Sequence, residues 1–110
     1  MVKAEAKWLV IKYVPDLMRN EPRNIGVVAI VGDDVKLMML PRKPRWVKAS
    51  AAMWRGWLGW FEHLEAERGP SEQWTARRAG DAFYVVEGGW TAGARSAESL
   101  AVEMFGRLVL

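Results

Sequence analysis

Ile25-Gly-Val-Val-Ala-Ile-Val-Gly-Asp-Asp-Val-Lys-Leu-Met-Met-Leu40 holds two short apolar runs separated by a turn signal, and its reading decides the fold. The first run, Ile25 to Val31, is β-branched and apolar at nearly every position, as a strand covered on both faces must be. Gly32-Asp33-Asp34 tolerates φ > 0, so Val35 to Leu40 returns as the second arm of a hairpin. Upstream, Trp8-Leu-Val-Ile-Lys-Tyr-Val14 has the same character and reads as another central strand, stopped by Pro15. Between them, Pro15 to Arg23 carries two prolines among its charges and reads as structured loop.

Downstream the period changes from strand to helix. At about 100° per residue, Met53, Trp54, Trp57, Leu58, Trp60, Phe61 and Leu64 share one arc, which predicts a helix from Ser50 to Arg68 ended by Gly69-Pro70. A weaker strand is expected at Trp74 to Arg78, turning at Gly80-Asp81 into Ala82 to Glu87, with Gly88-Gly89 and Gly93 marking a loop. Ser96 is placed to cap a last helix, with Glu98 in its first turn and Leu100, Ala101, Met104, Phe105 and Leu108 on one face. The order β-β-β-α-β-β-α predicts an α+β fold, an antiparallel sheet of about five strands with two helices packed on it in two layers. A single domain over residues 1–110 is expected, with Leu9, Ile11, Val27, Ala29 and Phe61 among its most buried residues.

Composition narrows the function classes. The chain has 110 residues, 51% of them hydrophobic and 26% charged, a formal net charge of +3, no Cys and one His. Without Cys there is no disulfide, thiolate zinc site or thiol nucleophile, and a cytoplasmic location is expected. No apolar run approaches the ~18 residues of a membrane span, and the N-terminus leads into no signal-peptide core. With His63 the lone imidazole, a Ser-His-Asp triad lacks supporting signals and zinc sites needing two or more imidazoles cannot form within one chain. Gly88-Gly89-Trp90 and Gly93 have neither phosphate-loop nor dinucleotide spacing. Glu62, Glu65 and Glu67 read as a solvated helix face, with Glu67 one turn from His63. No enzyme activity, cofactor or metal is expected.

The first strand and loop also carry a recognisable pattern. Trp8-Leu-Val-Ile-Lys-Tyr-Val-Pro-Asp16, followed by Arg19, Glu21 and Asn24-Ile-Gly-Val-Val28, resembles the uncharacterised bacterial and phage family of domains of unknown function numbered 3037. The likeness covers about 20 residues in detail, departs from the pattern at Pro22-Arg23, and does not reach the Trp-rich middle of the chain. It implies a small domain with an accessory or interaction role in a bacterium or its phage, and names no activity. Physically, Asp16 can cap the turn after Pro15, while Arg19, Glu21 and Asn24 can satisfy the loop internally or meet a ligand. Gly26, inside a strand, marks a bulge or a close neighbour such as an aromatic ring.

Charge is unevenly spread. Residues 41–60 hold five Lys or Arg and no Asp or Glu, against a net surplus of +3 for the chain. Arg42, Lys43, Arg45 and Lys48 stand in a Pro-punctuated loop around Trp46, which leads directly into the Trp helix. Of seven tryptophans, three lie on that helix, and core packing is their first explanation. Met53 and Trp60 sit at the edge of the apolar arc and are the residues expected to stay accessible. The opposite face bears Ala52, Gly56, Gly59 and His63, a stripe that suits close approach by another helix, a second copy included, and equally ordinary tolerance of surface glycine.

The leading expectation is therefore an interaction module that binds another protein through Arg42, Lys43, Arg45, Trp46, Lys48, Met53 and Trp60. The alternative is a nucleic-acid-binding accessory protein, the four cations on phosphates and Trp46 stacking on a base. A ligand-binding or catalytic site at the Asp16, Arg19, Glu21 and Asn24 loop ranks third.

Overall fold

The computed structural model describes residues 5–14, 22–76, 83–92 and 96–110. In chain order these form β1 (Glu5–Tyr13), β2 (Arg23–Val31), β3 (Asp34–Met39), α1 (Ala51–Ala66), α2 (Ser71–Ala76), β4 (Phe83–Ala92) and α3 (Ala97–Leu108). The strands make one antiparallel sheet in the order β3-β2-β1-β4. The α+β class and the antiparallel sheet follow the sequence expectation. The counts differ: among the described residues there are four strands rather than about five, and three helices rather than two.

Both corrections have physical causes. Trp74, expected in a weak strand, lies in α2, where it is buried and its indole Nε1 donates to the Gly69 carbonyl at 3.1 Å. Stacked on Phe61 at 6.0 Å, this ring gains more from filling the core than its β propensity could offer. Arg77, Arg78, Gly80 and Asp81 lie outside the described residues. Gly88-Gly89, expected as a loop, is instead part of β4, which continues to Ala92. The register slips there, with Trp8 opposite Gly89 and Leu9 opposite Glu87, so Gly88 is the extra residue of a bulge. The Trp8 ring occupies the space that a Cβ at either glycine would need.

The sheet is covered on both faces, as the uninterrupted apolar runs require, so the layers number three and not two. On one face Leu9, Ile11, Ile25, Val28 and Ile30 meet α1 and α2 through Trp54, Phe61, Leu64 and Trp74. On the other, Ala6, Val27 and Ala29 meet α3 through Leu100, Ala101, Met104 and Phe105. All five residues expected at the centre are buried: Leu9, Ile11, Val27, Ala29 and Phe61. The register of β1 and β2 does shift beside Gly26, but Gly26 pairs with Ile11 and Asn24 with Lys12, so the extra residue is Ile25. The close neighbours of Gly26 are Met39 and the Met38 carbonyl, not an aromatic ring.

The helices begin where their caps dictate. Ser50 Oγ accepts from the Met53 N–H and Ser96 Oγ from the Ser99 N–H, each at 3.0 Å. Gly32, at φ 59, supplies the left-handed first position of the two-residue β2–β3 turn. The outer edge of β3 is closed by α1, whose Glu65 carboxylate accepts from the Leu37 N–H at 2.6 Å. Among the described residues no helix is long and apolar enough to cross a membrane.

Candidate protein-interaction site

The basic loop is a built structure. Pro44 and Val47 close a backbone turn at 3.1 Å, and the Val47 side chain is buried in the core. Tyr13, itself buried at the end of β1, accepts from the Lys48 N–H at 2.8 Å and so pins the loop to the sheet. Lys43 Nζ donates to the Val47 carbonyl at 3.0 Å, which commits it to the loop's own backbone. Arg42, Arg45 and Lys48 are exposed. Trp46 is half-buried, with the Arg23 guanidinium 4.1 Å from its ring centroid and Tyr13 tilted against it at 6.3 Å.

Next to this loop, α1 turns an aromatic face inward. Trp57 stacks on Phe83 at 5.5 Å, Trp54 tilts against the same ring at 6.3 Å, and Tyr13 lies 4.8 Å from it. Phe83, wholly buried, is thus the hub that three elements share. The outward side of α1 is different. Met53 is 52% exposed, Trp60 is half-buried and stacks on His63 at 5.9 Å, and Gly56 and Gly59 have open space above them. Met53, Gly56, Trp57, Gly59, Trp60 and His63 line an open groove of about 540 Å³. His63 also meets Glu67 at 3.4 Å, the pair expected from their spacing.

The structure therefore brings Met53 and Trp60 together in one groove, while Lys43 is engaged within the loop and Trp46 against Arg23 of β2 and Tyr13 of β1. Asn24, expected to serve the 15–24 loop, has partners outside that loop among the described residues. It accepts from Lys12 Nζ at 2.9 Å and donates to the Leu108 carbonyl at 2.9 Å, tying β2 to the end of α3. Asp16, Arg19 and Glu21 lie outside the described residues.

One exposed aromatic escaped the sequence reading. Trp90 is 67% exposed near the end of β4, opposite Lys7, beside a shallow cavity of about 200 Å³ that Trp8 and Glu87 also line. Read as part of a glycine loop it carried no face; placed on a strand after a bulge, it does. Among the described residues no group of three His, Asp or Glu side chains stands close enough to hold a metal ion. Comparison with protein-family models, with curated proteins and with solved structures returned no match for this chain.

Proposed function

We propose that this chain is a non-enzymatic interaction module that binds another protein through the outward side of α1 and the adjoining basic loop. The observation that carries the reading is the α1 groove: an exposed methionine and a half-buried tryptophan beside bare helix backbone, flanked by a loop with three exposed cations. Anchors of this kind, set in a concave apolar patch with a charged rim, are what protein recognition uses. The likeness to domain family 3037, carried by the Trp8–Val28 motif, supports an accessory role in a bacterium or its phage.

The nucleic-acid alternative has less to draw on. Trp46 already has Arg23 over its ring, and Lys43 is held by the Val47 carbonyl, so a base would have to displace the first and a phosphate the second. Two measurements on the full chain separate the classes. Affinity capture from host extract, wild type against Met53→Asp, is expected to retain a defined protein in the first case and lose it in the second. Binding to a single-stranded oligonucleotide is expected to be negligible at physiological salt. Tight binding with log K falling against log salt at a slope of about −2 to −3, the release expected of three exposed cations, overturns the protein-binding reading.

A further inference from the structure

We infer that the partner seated on the α1 groove is a second copy of this chain, its α1 packed antiparallel against the first. The inference rests on the reading of α1 as a protein-binding face and names its occupant.

The seam is visible in the spacing. Ala52, Gly56, Gly59, His63 and Ala66 follow one another at intervals of four, three, four and three residues, and all five are exposed. This is the heptad interval of a helix pair, displaced from the buried side, where Trp54 and Phe61 are seven apart and face the sheet. Small residues along such a seam allow two helix axes to approach closely, and a side chain at Gly56 or Gly59 would stand in open space among the described residues. Both glycines cost helix propensity, about 1 kcal/mol each relative to Ala, at positions where the fold makes no demand for them.

The flanks select the occupant and its direction. One side of the seam carries Met53 and Trp60, the other Arg55 and Glu62. In an antiparallel pair related by a two-fold axis between Gly56 and Gly59, like flanks meet. Arg55 then faces Glu62 of the second copy and Glu62 faces its Arg55, while Met53 lies on Trp60 in both directions. Ala52 comes opposite His63, a small residue against a large one. The charge arrangement extends beyond the helix: residues 41–60 hold five cations and no anion, whereas residues 61–68 hold three glutamates and one arginine. Reversing one copy sets the basic loop of each chain toward the acidic half of the other. A parallel pair loses this complementarity, because it sets Glu62 beside Glu67 of the other chain.

Sedimentation equilibrium of the full chain tests the inference. The wild type is expected to be a monomer–dimer system whose association weakens with added salt. Gly59→Leu, which fills open space on the helix and leaves the core untouched, is expected to abolish the dimer while retaining the wild-type circular dichroism. Arg55→Glu is expected to weaken association about tenfold, because two attractive contacts become two repulsive ones. Adding Glu62→Arg to it restores the attraction with reversed signs, and association is expected to return to within about threefold of wild type. A wild type that stays monomeric at high concentration, a dimer indifferent to Gly59→Leu, or a double variant no tighter than Arg55→Glu overturns the inference. A monomer that captures a host protein lost in Met53→Asp overturns the second copy and leaves the protein-binding reading standing; a monomer that captures none overturns both.

Discussion

Arg68 follows α1 in a left-handed conformation, φ 53, at the position where helices usually place glycine. The geometry is enforced by the hydrogen bonds that stop the helix: Arg68 N–H to the Glu65 carbonyl at 3.0 Å and Gly69 N–H to the Leu64 carbonyl at 2.9 Å. A Cβ in this region costs about 1–2 kcal/mol, partly offset in the unfolded chain by the freedom glycine adds. Arg68→Gly is accordingly expected to raise stability by about 0.5–1 kcal/mol in thermal denaturation, and Arg68→Ala to leave it within about 0.5 kcal/mol of wild type. The sequence located the stop through Gly69-Pro70, yet the strained residue is one earlier. Only the carbonyls waiting at the end of α1 make it visible.

At the scale of the element, β4 shows how one side chain decides whether glycines make a loop or a strand. Gly88 and Gly89 read as a break because nothing local favours extended backbone there. In the fold, β1 offers a ladder, and the Trp8 ring fills the space over both glycines. A methyl group at Gly88 meets both the indole of Trp8 and its carbonyl oxygen, the latter at 3.2 Å, so the ring alone cannot relieve the clash by turning. Gly88→Ala is expected to destabilise by about 1–3 kcal/mol in urea denaturation. Combined with Trp8→Ala, the cost of the added methyl is expected to fall but not vanish, a coupling of at least about 0.5 kcal/mol in the double-mutant cycle. Strict additivity refutes the account. The opposite edge of the sheet relies on the Glu65 carboxylate instead, a contact between residues 28 apart in sequence that no local pattern announces.

For the whole molecule, Asn24 is a side chain that joins distant parts. Its amide bridges Lys12 on β1 and the last turn of α3, 84 residues away, and so holds the α3 layer to the sheet at the chain's end. Asn24→Ala is expected to lower stability by about 1–2 kcal/mol, the loss of two part-buried hydrogen bonds, one of them to a charged group. Asn24→Asp keeps the acceptor for Lys12 but loses the donor, and sets a carboxylate against the Leu108 carbonyl at the negative end of a helix. It is expected to be no more stable than Asn24→Ala at neutral pH; a denaturation midpoint at or above wild type removes Asn24 from this role.

The sequence by itself determined the antiparallel hairpin, the two long helices with the Ser96 cap of the second, the both-sided burial of β1 and β2, and the aromatic inward face of α1. Each is a periodicity or a turn chemistry contained within a few consecutive residues, where steric and hydrogen-bonding demands are local. Tertiary structure alone decided that Trp74 is helical, that the glycine pair is a strand, that Asn24 serves α3 and that Arg23 covers Trp46. These outcomes depend on which distant group supplies a ring, a carbonyl or a ladder, and that competition is settled only when the layers meet. The groove lies between the two cases: its residues are legible at helical spacing, but their exposure follows from how far α1 tilts its wide aromatic arc onto the sheet.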